Sequence, residues 1–116
     1  MREEALVACR GLRLNAEVPQ TRRERARGLL GRDGLHPGEA LLLERARSVH
    51  TVGMRFEIAV AFLDADLRVL ELVRVPPGRV LLPRRSAQHV LELPADTALR
   101  EGDRLRRSPM MGRTTE

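Results

Sequence analysis

The chain has 116 residues, 42% hydrophobic and 32% charged, with a formal net charge of +5 in which every basic side chain is arginine. That length holds one domain with a modest core and no need of disulfides or metal, and the composition excludes a disordered chain. No apolar run approaches the roughly 18 residues that span a membrane, and the start, Met1-Arg2-Glu3-Glu4, lacks a signal peptide's apolar stretch, so the expectation is a cytoplasmic protein with no membrane partner.

Leu6 to Cys9 and Leu12 to Val18 read as short strands joined at Arg10-Gly11, and Pro19 ends the second. Cys9 is the single cysteine. It has no disulfide partner and reads as a small buried hydrophobe. Thr21-Arg22-Arg23-Glu24 fits a capping box, with Thr21 as N-cap and Glu24 three residues on. The helix is expected to run to about Leu30, with Gly31 as its cap and Ala26, Leu29 and Leu30 as its apolar stripe.

Asp33-Gly34 and His36-Pro37-Gly38 are turn chemistry, and Ala40 to Leu43 is a short apolar strand. Ser48 to Thr51 is an extended piece broken by Gly53. Arg55 to Leu63 is apolar on both faces, which makes it central; Phe56, Ile58, Val60 and Phe62 share one face. Asp64-Ala65-Asp66 turns the chain, and Arg68 to Val75 returns as a hairpin partner, stopped by Pro76-Pro77-Gly78. Val80 to Leu82 and His89 to Leu93 are further strands. Asp96 is placed to cap one helical turn through Leu99, and Gly102-Asp103 turns before Arg104 to Arg106. One domain over residues 1–107 is expected, with a polar, disordered tail from Ser108 to Glu116. Many short strands and one helix predict a mainly β fold: a compact sandwich or barrel of mostly antiparallel strands, with the helix in the N-terminal half.

Three stretches carry a resemblance: Arg25 to Arg32 with its Gly28-Leu29-Leu30-Gly31, His50 to Asp64, and Val90 to Ala95 followed by Gly102-Asp103. In this order and spacing, over about residues 13 to 107, the chain resembles the bacterial and archaeal family catalogued as domain of unknown function 192. The resemblance implies a compact β-rich sandwich or barrel with a short helix. It implies no activity, because the family's own function is not established. The chain departs from the family pattern in four places. His50-Thr51 stands where a tryptophan-methionine pair is usual, and Glu57 and Ala59 stand for a proline and an aspartate. Leu67 and Asp96 stand where glycines are usual. A leucine at positive φ costs roughly 1 kcal/mol or more, so Asp66 is expected to take the left-handed position, or the turn to differ. At Asp96 an aspartate tolerates that conformation better.

The chemistry-bearing residues are sparse. His36, His50 and His89 lie far apart in sequence, with no ligand spacing, so no metal and no cofactor is expected. Ser48 and His50 share a strand face, but same-face Cβ atoms sit about 6.5–7 Å apart, long for a nucleophile and its base. No nucleophile elbow, phosphate loop or dinucleotide fingerprint occurs, and no catalytic residue is assigned. The two aromatic residues, Phe56 and Phe62, read as core, which leaves no platform for stacking bases.

The densest polar insertion in the apolar stretch is His50, Thr51, Gly53 and Arg55. His50 is either a satisfied core histidine or the edge of a cleft. In the second case Arg32, Arg55 and the Arg84-Arg85 pair are expected to converge near His50 and Thr51 as an anion site, since guanidinium forks suit carboxylate and phosphate. The leading expectation is a non-catalytic binding or accessory module that recognises an anionic small molecule or protein segment there. The alternatives are weak nucleic-acid binding through the arginine surface, and an enzyme with His50 as acid or base.

Overall fold

The chain was analysed as a computed structural model, which describes residues 1–8 and 10–109. Its first hairpin joins β1 (Arg2–Ala8) to β2 (Arg13–Val18), with Arg2 opposite Val18 and Val7 opposite Arg13. Cys9, expected to be buried, lies outside the described residues.

Helix α1 (Arg22–Arg27) forms on the expected capping box: Glu24 N–H donates to the Thr21 hydroxyl at 3.1 Å, and Thr21 N–H donates to the Glu24 carboxylate at 3.3 Å. The helix ends earlier than expected. Gly28 adopts φ 46 and donates to the Glu24 carbonyl at 3.0 Å, which closes the helix at Arg27 instead of near Leu30. Leu29 is then free to leave the helix axis and enter the interior.

Next come β3 (Glu39–Glu44), β4 (Val49–His50), β5 (Ile58–Leu63), β6 (Val69–Val75), β7 (Val80–Leu81), β8 (His89–Pro94) and β9 (Leu105–Pro109). Seven strands make one sheet in the order β6-β5-β8-β3-β2-β1-β9, and β4 pairs with β7 in a separate ribbon. The β2–β3 pair is parallel; the other pairs are antiparallel. β5 starts at Ile58 and not at Arg55, because both neighbouring strands end opposite Ile58, at Pro94 and Val75.

The sheet curls into a half-barrel, which bears out the mainly β expectation. At one end its edges meet: Arg68, before β6, bridges Arg104, before β9. Leu105 N–H donates to the Leu67 carbonyl at 3.0 Å, and Val69 N–H to the Asp103 carbonyl at 2.8 Å. Inside the curl lies one core, with Leu6, Leu42, Leu63, Leu91, Leu93 and Leu105 around Ala59 and Ala61. The small alanines suit the tight interior of a closing sheet. The outer face of β3, β5 and β8 carries a second core of Leu41, Ile58, Val60, Phe62 and Val90, roofed by Leu29, Met54 and the ribbon's Val49 and Leu81. Two cores explain why β5 is buried along its whole length.

Two turn expectations are corrected. Leu67 itself takes the left-handed conformation, φ 62, and Asp66 does not. Leu67 is 5% exposed and packs in the inner core, so burial offsets the strain. Asp96 has no positive φ and caps no helical turn. Pro94 stays in β8 opposite Ile58, and a tight turn with Thr97 N–H on the Pro94 carbonyl suffices to bring Leu99 inside. Strand β9 runs through Pro109, two residues past the expected domain boundary, with Ser108 opposite Ala5. The rest of the expected tail, residues 110–116, lies outside the described residues.

Candidate functional site

On the outer face of the sheet one carboxyl, that of Glu92, is buried among apolar side chains. In β8, Val90 and Glu92 point to the outer core while Leu91 and Leu93 point inward. Across the sheet Glu92 lies opposite Leu41 of β3 and Val60 of β5. It is 4% exposed. Among the described residues its carboxyl makes no hydrogen bond and no ion pair. Burial alone, with no compensating donor, pushes its pKa up to about 7.

Glu92 is not sealed in. It lines a cleft of about 200 Å³ between the end of α1, the end of β3 and β4. Leu29, Leu30, Leu43 and Met54 form apolar walls, and Arg25, Arg27, Ser48 and His50 supply the polar lining. The Arg25 guanidinium donates to the Glu44 carbonyl at 2.8 Å, which ties α1 to the end of β3. Arg27 and His50 are exposed, and neither side chain has a hydrogen-bond partner among the described residues. The volume falls below the ~300–1,000 Å³ of drug-sized sites, so it suits a small ligand or a single side chain.

Of the residues expected to form the anion site, His50 alone lines this cleft. Arg32 lines a neighbouring depression on the other side of the Gly28 turn and is paired with Glu17. Thr51 is fully buried; its hydroxyl donates to the Pro76 carbonyl at 2.7 Å and accepts from Arg79 N–H at 2.9 Å, pinning the 76–79 loop. Arg55 pairs with Asp33 at 2.8 Å on the surface. Arg84 lies 4.7 Å from the Phe62 ring centroid and pairs with Glu71 at 2.8 Å. Arg85 is exposed. In the sequence Glu92 stands only within a strand motif. Its signal was a lone carboxylate inside Val90-Leu91-Glu92-Leu93, a strand apolar on both sides.

His50 makes no hydrogen bond to Ser48 or to a carboxylate, so the dyad an acid–base role needs is not formed among the described residues. Nor do these residues hold a cluster of three or more His, Cys, Asp or Glu side chains able to hold a metal ion. No described helix is long and apolar enough to cross a membrane.

A curled mixed sheet with, among the described residues, one capped helix and an outer-face cleft defines the class of fold. The chain belongs to the DUF192 family, described as an uncharacterized ACR, whose model matches residues 5–107. Two solved structures share the fold. One, from Sinorhizobium meliloti 1021 and assigned only provisionally as a transcription regulator, is 21% identical, with TM-score 0.75 over 91% of this chain and 92% of that one. The other, of unknown function from Novosphingobium aromaticivorans DSM 12444, is 22% identical, with TM-score 0.73 over 90% of this chain and 83% of that one. No match is found among curated proteins.

Proposed function

We propose that this protein is a non-catalytic binding module whose outer-face cleft takes a small organic anion. One observation carries the reading. A buried carboxyl without a partner forms the floor of an apolar cleft whose mouth holds Arg25, Arg27 and His50. A buried polar group without a partner is costly, of order 1–3 kcal/mol, so a ligand that satisfies it gains affinity. The basic mouth favours anions over cations.

Nucleic-acid binding has less support. Arg2, Arg10, Arg32, Arg55, Arg84 and Arg107 each pair with a carboxylate of the same chain, which mutes the basic surface. Both rings are withdrawn from solvent: Phe62 is fully buried and Phe56 packs against the outer core.

Titration of 15N-labelled protein with acetate, propionate, phosphate and a short acidic peptide tests the proposal. Saturable shifts confined to residues 25–30, 48–50 and 92 are expected with a small carboxylate, weakened by Arg27→Ala. Shifts that stay linear for every probe sink the reading. Shifts with the peptide alone move the assignment to a protein segment.

A further inference from the structure

Glu92 faces a particular set of groups. From α1 come Arg25 and Arg27, and from β4 comes His50, all lining the same cleft. From β3 and β5 come only the apolar Leu41, Leu43 and Val60. One strand beyond Leu41, Glu17 of β2 lies on the same face and is paired with Arg32. No acceptor or donor among these reaches the carboxyl, so its protonation state is left to solvent and to whatever enters the cleft.

An anion entering this cleft meets Glu92 at short range in a poorly solvated space. Two negative charges held within a few ångströms there repel strongly, and one of them must take a proton. A protonated Glu92 turns from a repelling acceptor into an O–H donor. We propose that the cleft binds a short-chain carboxylate only with Glu92 protonated, so that binding above neutrality takes up a proton from solvent and release returns it. This rests on the reading of the cleft as an anion site. The proton adds to a Glu92 oxygen, no covalent bond to the ligand forms, and the ligand keeps its charge near the arginine mouth. Its apolar chain lies against Leu29, Leu30, Leu43 and Met54. The site therefore releases its ligand as pH rises. The raised pKa of the free carboxyl puts that release near neutrality.

Sodium propionate, titrated into the full chain at pH 6 and at pH 8 and followed by 15N-resolved NMR, tests the coupling. The dissociation constant is expected to be about tenfold weaker at pH 8, the ratio a single proton on a group titrating near 7 imposes. Imidazoles change charge in the same range, so two variants separate the causes. Glu92→Gln keeps shape and a donor but cannot titrate, and the pH ratio is expected to fall to about one. His50→Asn, whatever its affinity, keeps the tenfold ratio. Equal affinity of the wild type at both pH values overturns the proton coupling and leaves the anion site standing, as does a tenfold ratio that survives in Glu92→Gln. Absence of binding at both pH values overturns both.

Discussion

Single residues here carry more than their type suggests. Glu92 is the clearest case. Its pKa is raised to about 7 in the folded chain, against an ordinary carboxylate value when unfolded. The folded state therefore holds its proton longer. The stability present below about pH 4.5 is lost as pH rises through 7, and then levels off, for a total of about 3 kcal/mol. Glu92→Leu removes this loss. Chemical denaturation should find the variant gaining on the wild type by about 3 kcal/mol between pH 4.5 and 8; a constant difference would mean that the carboxyl is solvated. Leu67 makes the opposite trade. It accepts a left-handed backbone of roughly 1–2 kcal/mol strain to place a buried side chain. Leu67→Gly relieves the strain but opens a cavity, and is expected to lower stability by about 1–3 kcal/mol. The sequence showed the conflict at this turn but not its outcome, because the inner core that rewards Leu67 is assembled from β1, β2, β3, β5, β6, β8 and β9. Glu92 was hidden for the same reason. Whether a carboxylate in an apolar strand is buried depends on the strands beside it.

Elements were legible where their signals were local. The capping box and the two-sided apolar run of β5 are written in adjacent residues, and both appear in the fold. Element ends were less legible, because packing set them. α1 stops at Gly28 so that Leu29 can reach the outer core, and β5 starts only where both neighbours offer backbone partners. α1 has six residues and none buried, so its cap matters more than its packing. Thr21→Ala is expected to lower stability by about 1 kcal/mol. It should also loosen the arginine side of the cleft, seen as faster amide exchange at residues 24 to 28. A second element reports pH. The Arg45 N–H donates to His89 Nδ1 at 3.1 Å, at a non-glycine position of φ 57. Burial, with Arg107 nearby, holds the His89 pKa below the usual imidazole value. That contribution is complete above the unfolded pKa and is lost as pH falls, so His89→Gln should flatten the acid side of the stability profile below about pH 6.5.

At the scale of the molecule, one curled sheet carries two cores, and the closure between the ends of β6 and β9 holds the inner one. Leu105 sits at that seam, 1% exposed. Leu105→Ala is expected to cost about 2–5 kcal/mol, whereas Val80→Ser on the exposed ribbon should stay within about 0.5 kcal/mol. The mainly β class was readable from strand count and turn spacing. The closure was not, because Arg68 and Arg104 lie far apart in the chain and nothing local marks them as partners. The expected gathering of arginines is also a question of this scale. Those singled out spread over different sides of the sheet and mostly pair with nearby carboxylates, while Arg25 and Arg27 reach the cleft from the helix. What the fold does gather is a buried acid, an imidazole and two guanidiniums around one apolar hollow. The most direct test of that arrangement is a 13C-detected pH titration of the Glu92 side-chain carboxyl in the folded protein. The structure predicts a midpoint about 7. A midpoint near 4.5, the value of a solvated glutamate, would contradict both the buried site and the proton coupling built on it.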